Sequence, residues 1–255
     1  MENNQLLSEL LRPRSIAELN LPSGISDSLQ RMEKSRLVMN LLFYGEPGIG
    51  KTSAARILTE KADFYEINGS FNNGDKTMLT AIETFASSMS LSDQPKICFI
   101  DEAEYLTMEV QAGLRYTIEK FSHSTRFILT ANDFKKITPA LRSRCAPICF
   151  NVAPKDRASV VDKMLARYEQ RLSEFGYEYD PTRLRELVGI YFPDLRSIAN
   201  QLELSFERPA SKDVSCPPVV KEPEGDERSA IEHMMDGFVQ IGGFNNLKGT
   251  SLTLK

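Results

Sequence analysis

Short apolar runs alternate with segments of helical periodicity through the first 150 residues of the chain. Each run has the length and the polar boundaries of a buried strand. The predicted strands are Met39–Gly45, Phe64–Ile67, Lys96–Ile100, Arg126–Leu129 and Ala146–Phe150. The predicted helices between them are Lys51–Lys61, Asp75–Met89 and Thr107–Phe121. Because the two types alternate, we predict an α/β fold with a five-stranded parallel sheet and helices on both faces.

The pattern changes after Pro154, where no further strand pattern occurs. Three segments with helical spacing follow, which are Asp156–Phe175, Pro181–Phe192 and Asp194–Glu207. Prolines among charged residues between Pro209 and Arg228 then predict a flexible linker. A short amphipathic helix is predicted from the apolar positions Ile231, Met234, Met235, Phe238 and Val239. The predicted domains are an α/β domain at 1–153 that opens with a polar lead-in, a helical domain at 154–207, and the linker with its tail at 208–255.

Composition and charge narrow the class of protein. Apolar residues make up 41% of the chain and charged residues 26%, as in ordinary globular proteins. No apolar run is long enough to span a bilayer and the N-terminus does not resemble a signal peptide, so we predict a cytoplasmic protein without membrane contact. No C-x-x-C pair occurs, which argues against a zinc site. A net charge of −4 leaves nucleic-acid contact to a local basic patch or to helix N-termini.

Residues 45–52 read GEPGIGKT and match the phosphate-binding loop pattern G-x-x-x-x-G-K-[ST] in full. The loop follows a predicted strand and opens a predicted helix, so its backbone N–H groups and the helix N-terminus can surround phosphate oxygens. Lys51 is predicted to contact the β- and γ-phosphates of ATP, and the Thr52 hydroxyl to bind Mg²⁺. The predicted nucleotide-binding residues of this loop are Gly45, Glu46, Pro47, Gly48, Ile49, Gly50, Lys51, Thr52 and Ser53.

Two adjacent acids end the predicted strand KICFI. Asp101 suits the second metal-binding position, where it would orient the ligands of Mg²⁺. Glu102 is then placed to act as general base toward the attacking water. A solvated acidic turn is the alternative reading of this pair. Glu104, the third acid of DEAE, is assigned no direct chemistry.

These motifs and three later ones resemble AAA+ sliding-clamp-loader ATPases, of the type found in T-even-like phages and in replication factor C small subunits. FILTAND is similar to the family's sensor 1, which implies that Asn132 reads the γ-phosphate. LRSRC contains the Ser-Arg-Cys triplet, which implies that Arg144 is an arginine finger; Arg142 and a plain surface role are the alternatives. FPDLR is similar to sensor 2, which implies that Arg196 contacts the phosphates of its own chain from a three-helix lid domain.

Two weaker similarities concern the base and DNA. LLRPRSIAELNLP looks like the family's Tyr-Arg-Pro opening around the adenine, with Leu11 in the place of Tyr. Leu11 and Asn20 are the candidate adenine neighbours and Arg12 is a further candidate nucleotide-binding residue, with a plain surface loop as the alternative. GSFNNGDKTM occupies the place of a segment that touches the DNA backbone in the family, which makes Lys76 a candidate DNA-binding residue, with a solvated helix start as the alternative.

The resemblance implies an ATP-hydrolysing subunit that works with other subunits to load a sliding clamp onto primer–template DNA. Family members carry a helical collar domain after the lid, whereas residues 209–255 predict no folded collar. A shortened version, a truncated chain and a different AAA+ role all remain open. The amphipathic segment Ile231–Ile241 could dock into a partner groove, fold back or stay disordered. Alternative functions are another DNA-remodelling motor, such as a Holliday-junction motor or helicase loader, and a slow ATP-dependent interaction switch.

Overall fold

The computed structural model of the chain describes residues 6–35, 39–60, 62–71, 76–90 and 96–206. A parallel sheet lies at its centre. Its strands are β1 (Leu41–Tyr44), β2 (Phe64–Asn68), β3 (Lys96–Asp101), β4 (Thr125–Ala131) and β5 (Ala146–Cys149). They lie in the order β2-β3-β4-β1-β5 and all neighbouring pairs are parallel. The predicted five-stranded parallel sheet is confirmed.

Helices cover the sheet and continue beyond it. Those of the first part are α1 (Leu7–Leu10), α2 (Ser23–Ser35), α3 (Lys51–Thr59), α4 (Lys76–Ser87), α5 (Met108–Lys120) and α6 (Pro139–Arg142). The second part contains α7 (Arg157–Glu174), α8 (Pro181–Tyr191) and α9 (Leu195–Ser205), which are the three helices predicted for the lid. Short polar side chains begin several of them. The Asp180 carboxylate accepts the Thr182 N–H at the start of α8, for example, and so satisfies a backbone donor that the helix leaves free.

Alternate positions of the central strands face opposite sides of the sheet and form two cores. Leu42, Cys98 and Phe127 pack on one side with α4 and α5. Leu41 and Phe43 pack on the other side with α2 and α3. Because both faces are covered, the central strands are apolar at nearly every position, which explains why apolar runs without alternation identified them.

The first residues of the chain are more structured than the predicted polar lead-in. Leu7, Leu10 and Leu11 are buried in the core of the lid, whereas Ile16 and Leu19 are buried in a core of the sheet. The segment thus packs against both parts. Leu7, Leu10 and Leu11 have helical spacing, but α1 is a single turn of four residues, which is too short for the period to identify it from the sequence.

Residues 207–255 lie outside the described residues, and with them the predicted linker and the predicted helix Ile231–Ile241. The division at 153 and 207 into separate domains stays a prediction. None of the helices in the described part of the chain combines the length and apolar character needed to span a bilayer.

Candidate functional site

A cavity of about 410 Å³ lies where β1, β3 and β4 end and the lid begins. This volume is in the range of small-molecule sites. The loop after β1, the ends of β3 and β4, helices α7 and α9, and the first residues of the chain all contribute to its wall. The carboxyl edge of a parallel sheet is where ligands of such folds bind.

The loop of residues 45–52 forms one wall of the cavity. Gly50 (φ 99°) has the left-handed backbone that leads into α3 and that favours glycine. The buried Lys51 Nζ donates to Gly45 O (2.9 Å), Glu46 O (2.7 Å) and Asn132 Oδ1 (2.8 Å). Burial lowers the pKa of the Lys51 ammonium, and the negative charge of Glu104 opposes this shift. Residues 47–53 line the cavity, whereas Gly45 and Glu46 take part through the carbonyls that accept from Lys51.

Thr52 and Asp101 meet at the floor of the cavity. The Thr52 hydroxyl lies 3.0 and 3.1 Å from the two carboxylate oxygens of Asp101. Thr130 on β4 donates from Oγ1 to Asp101 Oδ1 as well. Hydroxyl and carboxylate oxygens are hard donors that suit Mg²⁺, so this pair fits the predicted metal position.

Glu102 follows in a left-handed backbone conformation (φ 55°, ψ 42°) that is rare for a residue other than glycine. Its N–H donates to Thr130 Oγ1 (2.9 Å), and Gly69 packs so closely that an added Cβ would lie 2.7 Å from Glu102 O. The half-buried Glu102 lines the cavity beside Asp101. Local strain of this kind is common at functional sites.

Asn132 follows the end of β4 and reaches the cavity from there, with its amide oxygen on Lys51. The Asn132 N–H donates to Glu104 Oε1 (2.9 Å). Glu104 is buried and lines the cavity, and its Oε2 has no hydrogen-bond partner among the described residues. The third acid, to which the sequence analysis gave no chemistry, therefore supports the residue that was predicted to read the γ-phosphate.

Arg196 lies on the lid side of the cavity, in the first turn of α9. Asp194 begins this helix, and its Oδ1 accepts from the N–H groups of Arg196 (3.0 Å) and Ser197 (3.1 Å). The lid also touches the loop directly, since Leu195 N donates to Gly48 O (3.0 Å). A Cβ on Gly48 would lie 1.9 Å from Asp194 Oδ1, so this contact requires glycine.

Arg144 is the predicted catalytic residue that does not line the cavity. It lies on the surface of the sheet domain, where its Nε donates to Glu119 Oε1 (2.7 Å) and its side chain is 35% exposed. Arg142, the alternative finger, packs its guanidinium 4.6 Å from the centre of the Phe134 ring. Of the two arginines, Arg144 ends in an exposed ion pair, whereas Arg142 packs against its own chain.

Only some of the residues predicted to contact the base or DNA lie at the cavity. Leu11 and Arg12 line the cavity. Asn20 is buried but is not part of the cavity wall. Helix α4 begins at Lys76, but the side chain of Lys76 lies outside what the structure describes.

The sequence analysis gave no role to Thr130, Glu104 or Arg167, which all line the cavity. Thr130 stands two residues before Asn132 in FILTAND, and Glu104 two residues after Glu102. Their closeness in the sequence to motif residues could have identified both as candidate site residues. Arg167 had none, because it belongs to an ordinary amphipathic helix.

Comparison with known proteins places this site in context. Residues 41–151 match the sequence model of the ATPase family associated with various cellular activities (AAA). Replication factor C subunit 3 of Oryza sativa subsp. japonica is 33% identical over 206 residues, which cover 76% of this chain and 55% of that protein. The replication factor C small subunit of Archaeoglobus fulgidus is 32% identical over 211 residues, which cover 80% of this chain and 64% of that protein. The chain thus spans less than two thirds of either relative.

Among solved structures, the Aeropyrum pernix ORC1 protein in complex with DNA superposes with a TM-score of 0.55. The match covers 77% of this chain and 62% of that one at 17% identity, and it therefore shows a shared fold.

Proposed function

We propose that the chain binds and hydrolyses ATP with Mg²⁺ as a subunit of a sliding-clamp loader, because residues 41–151 match the AAA family of ATPases and the chain is similar to replication factor C subunits. One observation carries the proposal. Lys51, Thr52, Asp101, Glu102 and Asn132 come from three separate segments and meet at one cavity. A lysine, a hydroxyl, two acids and an amide are the groups with which P-loop ATPases bind phosphates and Mg²⁺ and orient the attacking water.

Each residue has a role that its position supports. Lys51 and the loop N–H groups would bind the phosphates, and Arg196 would contact them from the lid. Thr52 and Asp101 would hold Mg²⁺, which supplies charge neutralisation to the phosphate oxygens. Glu102 would accept the proton of the attacking water, which Asn132 helps to orient.

We place the arginine finger at Arg144. Arg144 does not line the cavity of its own chain, and its partly exposed side chain is held by a surface carboxylate. A side chain in this position can leave its ion pair and reach the site of an adjacent subunit, since exposed pairs are weak. Arginine fingers raise phosphoryl-transfer rates by about 10³–10⁵.

The proposed role implies partners. These are primer–template DNA, a sliding clamp and further loader subunits, either copies of this chain or different ones. The relatives are named as subunits of a replication factor, which supports DNA and further subunits as partners. The protein is predicted to be cytoplasmic. Lys76, at the start of α4, remains the proposed DNA contact.

The test measures steady-state ATP hydrolysis by the full chain, with and without primer–template DNA, for the wild type, Glu102→Gln, Arg144→Ala and an equal mixture of the two variants. Each variant alone should lose at least about 10³-fold in rate while still binding ATP. The mixture should recover part of the activity. Some interfaces would then combine the intact Glu102 of one chain with the intact Arg144 of another.

The outcomes separate the alternatives. A mixture as inactive as its components, beside an active wild type, would show that Arg144 does not act between copies. A wild type that binds ATP tightly but hardly hydrolyses it under any condition would favour the slow switch or a need for different partner subunits. A chain that binds no ATP would refute the proposal.

A further inference from the structure

The first residues of the chain cross from the lid to the sheet along the cavity. We define the strap as residues Leu11–Glu18. At its start Leu11 is buried in the lid core, and near its end Ile16 is buried in the core of the sheet. Leu11, Arg12 and Pro13 line the cavity between these two anchors. The strap is therefore one wall of the site, and its position depends on what holds its two ends.

One side chain of the lid holds both ends. Arg167 on α7 donates from one terminal nitrogen to Leu11 O (3.3 Å) and from the other to Glu18 O. Its guanidinium lies 5.1 Å from the centre of the Tyr168 ring and borders the same cavity. The planar fork of an arginine can donate in two directions at once, which a lysine cannot do with the same geometry.

The neighbouring Arg171 makes a different contact with the strap. Its guanidinium pairs with the Glu18 carboxylate (3.1 Å) and also approaches Glu174. Arg171 does not border the cavity. It is thus a matched position on the same helix, bound to the strap by a side chain and not by the backbone of both ends.

Different elements contribute different chemistry to the cavity wall. The loop lysine and the acids offer charged groups that suit phosphates. The start of the chain, α7 and α9 contribute Leu11, Pro13, Tyr168 and Ala199, which offer carbon surface beside the polar Ser8, Arg12 and Asn200. A nucleotide has one charged end and one flat, largely apolar base. Its base therefore fits against the strap and α7, since apolar surface leaves water most readily on an apolar wall.

We propose that Arg167 is a positioning residue for the nucleoside part of the ligand: by holding Leu11 and Glu18 together it keeps the strap closed as the wall against the base. The inference rests on the proposed nucleotide binding. The inference goes beyond nucleotide binding because it makes the affinity for the base depend on a lid residue that lies outside the sequence motifs.

The test compares two ligands on the full chain by calorimetry. Mg²⁺–ADP carries both phosphates and base, whereas inorganic tripolyphosphate carries phosphates alone. Arg167→Met removes both donors and keeps the apolar stem. We expect it to weaken ADP binding by about tenfold or more, the effect of losing one or two charge-assisted hydrogen bonds that order the wall. Tripolyphosphate binding should change less than about twofold, because the loop is untouched. Arg171→Met leaves both backbone contacts of Arg167 in place, so it should weaken ADP binding less than Arg167→Met does and leave tripolyphosphate binding unchanged.

Arg167→Lys guards against misfolding. It keeps the charge but lacks the fork, so it should also weaken ADP and spare tripolyphosphate. Unchanged ADP affinity in both Arg167 variants would overturn the proposal. Equal losses for ADP and tripolyphosphate in both variants would overturn it as well, because Arg167 would then act on the phosphates or on the fold. A wild-type chain that binds neither ligand would refute nucleotide binding itself, which is a distinct failure.

Discussion

Thr130 joins the two acids of the site, and replacing it with valine should expose how they are held. The residue is 1% exposed, and its hydroxyl donates to Asp101 and accepts from the Glu102 N–H. Valine has nearly the same shape, so little cavity forms and the loss is chiefly of hydrogen bonds. A bond to a charged carboxylate contributes about 1.5–3 kcal/mol, and a buried N–H left without an acceptor costs about 1–3 kcal/mol. Because the Asp101 carboxylate keeps its contact with Thr52, we expect a net loss of about 2–4 kcal/mol for Thr130→Val.

Urea unfolding followed by circular dichroism measures this difference, with Thr130→Ser as the control that keeps the hydroxyl. The valine variant should unfold at a midpoint about 1 M lower than the serine variant, for a slope of about 2–3 kcal/mol per M. The valine variant should also hydrolyse ATP more slowly, because the left-handed backbone at Glu102 loses its hydrogen bond. A valine variant as stable as the serine variant would refute the reasoning, since the hydroxyl would then hold neither acid.

Three further results are expected. Leu7→Ala should lower the free energy of unfolding by about 2–5 kcal/mol, because Leu7 is fully buried in the lid core. Leu6→Ala, at a half-exposed position, is the control and should change this free energy by less than about 0.5 kcal/mol. The same urea experiment measures both. The hydrogen bond from Arg144 lowers the pKa of the Glu119 carboxyl. The stabilisation from this pair is therefore fully present at a pH above the ordinary pKa of a glutamate, and it is lost as the pH falls through the lowered pKa. NMR titration should show this pKa rise toward its ordinary value in Arg144→Ala. Burial raises the pKa of the Cys145 thiol to about 12, so peptide mapping after maleimide treatment at pH 8 should find it unmodified until urea is added.

The sheet and the central site residues were predictable because their causes are local. Runs such as KICFI are apolar without alternation since both faces of β3 are buried, and that property is visible in the sequence. The loop at 45–52 needs glycine where its backbone turns left-handed, so its spacing is visible too. Once the strands are known to be parallel, Asp101 and Asn132 must lie on the same edge, because both come at carboxyl ends.

The residues that the sequence did not predict depend on contacts between distant segments. Arg167 donates to a carbonyl 156 positions earlier in the chain, and no spacing rule links the two. The lead-in has the same cause: Leu7 is apolar for packing against a lid that begins about 150 residues later. The contacts of Arg167 and Leu7 join the start of the chain to the lid, and they add to the motif contact between Leu195 and Gly48. Part of the coupling between sheet and lid therefore lies in residues that carry no motif, and substitutions at Arg167 test that part without changing the loop.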